Sequence, residues 1–231
     1  MNIVVCLRAP PLGPEVDTLA RADALALAHA LVLGAGDHQT TALLGGTSVE
    51  AGSLRLALAA GVDRAVRVAA DDMAGTDFHT IGQLLAIALR RIGADLVLTG
   101  VRSDDEGLGA APAAIARHLG ANFVAGVEEI ALPTEGMVDV VARGGGRKRR
   151  LRVKLPAVLT IAAGPATSAP RPVQPSEQEG AAPTIEVIPL SDPEATVVRR
   201  RTELLGRLEP ASRGVETVTS AAALVAALDR R

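Results

Sequence analysis

The sequence predicts an α/β protein built on a doubly wound parallel sheet, with a C-terminal β-meander and an extended arm. Three observations carry this. Short apolar runs (Asn2–Leu7, Thr40–Leu44, Ala65–Val68, Asp95–Thr99) alternate with Ala- and Leu-rich stretches of helical length, the pattern of a parallel sheet covered by helices. Glycines punctuate the ends of both kinds of element. After Phe123 the pattern changes to strand-like runs alone.

Asn2–Leu7 is apolar throughout and reads as a buried strand. Pro10, Pro11, Gly13 and Pro14 make Ala9–Asp17 a loop. A helix follows from about Thr18 to Leu33, with Leu19, Ala22, Ala26, Ala30 and Leu33 on one face and Gly34 and Gly36 as its stop. Thr40–Leu44 is the next strand. Gly45 to Ser48 lead into a helix over Val49–Ala60, with Ser48 as N-cap and Gly61 as stop. Ala65–Val68 is the third strand, Phe78–Arg91 the next helix, and Asp95–Thr99 the fourth strand. The helix after it carries Pro112, which fits only in a first turn. Val127–Leu132, Val138–Arg143 and Lys148–Leu155 read as a meander, with Gly144, Gly145 and Gly146 for the turn. The α/β domain with its meander (124–161) spans 1–161. Residues 162–231 form an arm, which holds five of the 14 prolines by Pro183, and a helix over about Ser220–Leu228.

Composition narrows the function. With 231 residues and 48% apolar side chains the chain can bury a large core. Its net charge of −2 fits neither a polyanion-binding protein nor a membrane-surface protein. Phe78 and Phe123 are the only aromatic residues, too few for the stacking platforms that bind single-stranded nucleic acid. From Arg143 to Lys154 run seven cations; this is a basic patch or a solvated hairpin face, and the aromatic deficit favours the second. Cys6 is the one cysteine, and the four histidines (29, 38, 79 and 118) lack ligand spacing, so no disulfide framework or zinc site is expected. No secretory leader and no membrane span is expected, which points to the cytoplasm. No nucleophile elbow, phosphate-loop lysine or ligand cluster is present, so the chain is not expected to be an enzyme.

A parallel sheet binds ligands beyond the carboxyl ends of its strands. The turns at Arg8–Pro11, Gly45–Ser48 and Gly100–Gly109 should converge there. The stretch DLVLTGVRSDDEGLGAAPAAIARHL, Asp95 to Leu119, is a strand, a polar loop and a helix start. That arrangement is either an ordinary connection or a phosphate cradle of backbone N–H groups. Gly107 and Gly109 would let the backbone approach a phosphate, while Asp104, Asp105 and Glu106 oppose extra charge. A Cβ at position 109 is expected to obstruct the ligand and leave folding nearly intact.

The same stretch resembles the adenine-nucleotide loop of the electron transfer flavoprotein beta subunit family. MNIVVCLR resembles that family's first strand. TALLGGTSVEAGSLRLALAAGVDRAVRV resembles its second strand, helix and third strand. RLRVKLPAVLTI (Arg150–Ile161), TIEVI (Thr184–Ile188) and VETVTSAAALVAAL (Val215–Leu228) match in order. The resemblance implies an adenine nucleotide alpha hydrolase-like, Rossmann-type fold. It also implies a heterodimer with an alpha subunit that holds most of the FAD, an electron donor among the dehydrogenases, and delivery to the respiratory chain. AMP, or a second FAD in bifurcating relatives, would occupy this chain's cleft.

Position by position, a family alanine falls on Cys6 and a cysteine on Gly45. The Asn-Pro-Phe-x-Glu run falls on Ala20–Ala24 and is essentially lost, with Asp23 as the candidate there. The loop falls on Gly100, Ser103, Asp104, Asp105, Glu106, Gly107, Leu108, Gly109, Ala110 and Ala111. Its Asn-Gln-Thr-Gly becomes Gly109, Ala110, Ala111 and Pro112, which removes side-chain hydrogen bonds worth about 1 kcal/mol each. The segment that recognises partner dehydrogenases becomes Ala169–Pro175 and loses its Leu and Lys residues. The divergence is that of a specialised redox branch, and the Ala/Arg-rich composition suits the mycofactocin-associated branch of actinobacteria. The alternative is a nucleotide-sensing or purely structural module without electron transfer.

Overall fold

The computed structural model describes residues 1–8, 19–46, 51–69, 77–102, 109–162, 184–189 and 220. Its elements are β1 (Asn2–Cys6), α1 (Arg21–Gly34), β2 (Gln39–Gly46), α2 (Gly52–Ala59), β3 (Arg64–Ala69), α3 (Phe78–Ile92), β4 (Leu96–Gly100), α4 (Ala111–Leu119), β5 (Asn122–Thr134), β6 (Met137–Gly144), β7 (Arg147–Lys154), β8 (Ala157–Ile161) and β9 (Glu186–Ile188). The expected N-cap Ser48, the Pro-rich arm and the tail helix lie outside the described residues.

All nine strands form one sheet in the order β7-β6-β5-β8-β4-β1-β2-β3-β9. Every pairing from β5 to β9 across that order is parallel. β6 and β7 continue it in antiparallel fashion. Strand order reverses at β1, which has β4 on one side and β2 on the other, and this is the switch point at which such sheets open a crevice.

Side chains alternate between two cores. Ile3, Val5 and Leu7 pack with Leu27 of α1 and Leu54 of α2 on one face. Val4 and Cys6 pack with Leu84 and Leu89 of α3 and Ile115 of α4 on the other. The doubly wound arrangement predicted from the sequence is therefore present. α1 is buried continuously from Asp23 to Ala30, which is why its Leu-Ala composition shows little amphipathic pattern. Asp77 caps α3 by accepting from the Thr80 N–H at 2.8 Å, and left-handed Gly93 ends it. Pro112 sits in the first turn of α4, as expected.

Two elements differ from the sequence reading. β5 begins at Asn122 because Asn122–Val124 pair in parallel with Ala157–Leu159. Ala157–Ile161, read as the end of the 124–161 meander, is a fully buried strand parallel to β4 and β5. It has no polar alternation because helices or core cover both of its faces. The β6–β7 turn is as read: Gly145 and Gly146 both take positive φ, the requirement of a two-residue hairpin.

Candidate functional site

The candidate site lies beyond the carboxyl ends of β1 and β4. Cys6 is the last residue of β1 and only 6% exposed. Burial, with the Asp23 carboxylate adding to it, pushes the Cys6 thiol up to about 12. It is a small buried apolar group rather than a nucleophile.

Asp23 sits in the first turn of α1, 1% exposed. Its partner is Arg8, two residues beyond β1. Arg8 Nε donates to Oδ2 at 3.2 Å and Nη2 to Oδ1 at 2.8 Å, while the Arg8 backbone N–H donates to Oδ2 at 3.1 Å. This side-on grip satisfies both carboxylate oxygens and keeps the buried charge paired. The Arg8 side chain is 33% exposed, whereas that of Asp23 is 2% exposed. The hydroxyl of Ser53, in the first turn of α2, donates to the Arg8 carbonyl at 2.6 Å. The starts of α1 and α2 are thus both tied to the end of β1.

Gly100 ends β4 against the same carboxylate. A Cβ there would lie 2.5 Å from Asp23 Oδ1 and 2.9 Å from Ala22 Cβ. Gly109 has φ +60, and a Cβ would meet the Val101 carbonyl oxygen at 2.8 Å. The expectation that a side chain at 109 would leave folding intact is thereby corrected, because the backbone itself requires glycine there. Ala110 is the N-cap of α4 and Ala111 its first residue, with no side chain capping the turn.

The structure brings Cys6, Asp23 and Gly100 together, with Gly109 to Ala111 following Val101. Gly45 is turned the other way: a Cβ there would lie 3.0 Å from Leu84 Cδ2 of α3. Ser103, Asp104, Asp105, Glu106, Gly107 and Leu108 lie outside the described residues. Among the described residues no three metal-ligating side chains cluster, and no helix is long and apolar enough to cross a membrane. Sequence reasoning placed Arg8 in a crevice turn but missed its pairing with Asp23, and missed Ser53 altogether. The signal was present: a cation just after a strand, followed by an acid in the first turn of the next helix.

Residues 15–193 match the family model described as an electron transfer flavoprotein domain. The chain belongs to the electron transfer flavoprotein family. It is 33% identical over 114 residues to the electron transfer flavoprotein subunit beta of Methylophilus methylotrophus, covering 48% of this chain and 43% of that protein. It is 31% identical over 186 residues to protein FixA of Azorhizobium caulinodans, covering 70% and 66%. It is 36% identical over 107 residues to the subunit beta of Mycobacterium tuberculosis, covering 46% and 40%. The matched stretches thus span 40% to 66% of these relatives. This likeness, on a mostly parallel nine-stranded sheet flanked by helices, marks the chain as a beta-type member of the family.

Proposed function

We propose that the chain pairs with a flavin-holding alpha subunit and that the heterodimer carries electrons from a dehydrogenase toward the respiratory chain. The match of residues 15–193 to the electron transfer flavoprotein domain carries this reading. The chain's poverty in stacking groups supports a partner-held flavin. Phe78 begins α3, at the carboxyl edge of the sheet, and Phe123 lies near the start of β5, at the amino edge. They cannot sandwich one ring. FAD bound by the partner supplies the electron chemistry, and this chain supplies shape and charge.

We read the crevice as a site for a mononucleotide of low charge such as AMP. Backbone N–H groups of Ala111 and Ala113 open α4, Pro112 offers none, and the helix dipole favours an anion there. Asp23 would repel a phosphate, but Arg8 neutralises it and keeps donors in reserve. Arg8 and the α4 start would hold the anion, and Gly100 and Gly109 shape the wall.

Co-expression with an alpha subunit encoded beside it, followed by size-exclusion chromatography, tests the pairing. A stable one-to-one complex is expected. A chain that elutes alone and still binds AMP tightly by calorimetry would favour a nucleotide-sensing module. One that does neither would favour a structural module.

A further inference from the structure

α3 and α4 cover one face of the sheet over the parallel strands, where Val158 of β8 packs against them. Among the described residues no helix covers the same face over β6 and β7. Phe123, paired with Val158, is already 39% exposed. Beyond it the face carries Glu129, Ala131, Asp139, Val141, Arg150 and Arg152, exposed or half-buried, around a groove of about 520 Å³.

On this face the cations Arg143, Lys148, Arg150, Arg152 and Lys154 outnumber the acids Glu128, Glu129 and Asp139. Residues 143–154 hold seven cations and no acid, in a chain of net charge −2, and include both of its lysines. Alternation along β7 puts Lys148, Arg150, Arg152 and Lys154 on the open face. Two of these are engaged. Lys148 reaches Glu128 at 2.8 Å, alongside Arg143 at 2.5 Å, and Arg152 binds Asp139 side-on at 2.7 and 2.8 Å. Arg150 and Lys154 make no ion pair among the described residues.

β7 is also the last strand of the sheet. Its outer backbone groups face no further strand among the described residues, and its side chains are exposed from Arg147 to Arg150. An open edge is a template for another chain. A row of cations repels a second copy of itself and attracts an acidic strand, so the charge selects the occupant.

We propose that the edge and open face of β7 dock an extended acidic polypeptide of a partner protein, which adds to the sheet as a further strand and sets its carboxylates against Arg150 and Lys154. A polypeptide fits better than a nucleic acid. No aromatic residue stands between Phe123 and the end of β7, and only a polypeptide can pair with a strand edge.

A fluorescent peptide of alternating Glu and Val provides the probe, with an alternating Lys and Val peptide and a single-stranded oligonucleotide as comparisons. Anisotropy should show the acidic peptide binding, more weakly as salt rises, and hydrogen exchange should slow at β7 amides. The double variant Arg150→Glu/Lys154→Glu, with an unchanged urea midpoint as its folding check, should bind at least about tenfold more weakly. Should the variant unfold, the salt dependence and amide protection of the wild type decide alone. Tighter binding of the oligonucleotide, equal binding of the basic peptide, or peptide binding without protection of β7 would each overturn the proposal.

Discussion

The Asp23 carboxylate occupies the notch left by Gly100: a Cβ on that glycine would lie 2.5 Å from Oδ1. The end of β4, the first turn of α1 and, through Arg8, the end of β1 are thereby locked at the point where strand order reverses. The crevice is framed by an ion pair, and its geometry depends on that pair.

Gly100→Ala should therefore destabilise the fold. The obstructing atoms include the Ala22 backbone at 3.1 Å, so relief requires moving the start of α1. Overpacking of this kind costs about 1–3 kcal/mol, read as a lower midpoint in urea unfolding. An unchanged midpoint would mean that α1 is not held against β4.

Arg8→Met should cost about 2 kcal/mol, since it leaves Asp23 buried without its cation while the Arg8 end of the pair is partly solvated. The double variant Arg8→Met/Asp23→Leu should recover part of that loss, because no uncompensated charge remains. Urea midpoints of wild type, both single variants and the double give the coupling directly. Additive losses would show that the two side chains do not act as a pair.

Cys6 should resist thiol reagents. With its thiol pushed up to about 12 by burial, almost no thiolate exists at pH 8, and iodoacetamide should label it only after urea is added. The raised value also stabilises the fold fully below the ordinary thiol range near 9, and that stability is lost as pH rises from there toward the folded value. Rapid labelling of the native chain would contradict the burial.

His29 is 6% exposed, and burial lowers its pKa below the ordinary 6.5. The folded chain binds its proton less readily than the unfolded chain, so stability is full above pH 6.5 and falls below it. His29→Leu should flatten the loss between pH 7 and pH 5, measured as urea midpoints. The same slope in both proteins would place the acid sensitivity elsewhere.

The sheet was legible because buried strands and Gly-ended helices leave strong local patterns, as in Asn2–Leu7 and Phe78–Ile92. β8 was harder to place. Its five apolar residues carry no alternation to say whether they continue a meander or enter the parallel sheet, and only pairing with both Leu96–Gly100 and Asn122–Val124 decides that. In the site, Asp23 and Gly100 came from the family resemblance and do lie together. Gly45 came from it too, yet its bare Cα faces Leu84, because β2 turns that residue toward α3. The Arg8–Asp23 pair was missed because pairing between residues 8 and 23 requires the strand and helix to be folded first.

The central claim is that this chain holds electron-carrier function only in partnership. The most direct measurement is the visible spectrum of the chain alone beside that of its purified complex with the co-encoded alpha subunit. The account predicts a flavin band in the complex, bleached by a dehydrogenase donor, and none in the chain alone. Stoichiometric flavin in the isolated chain, or a complex in which the donor never bleaches the band, would contradict it.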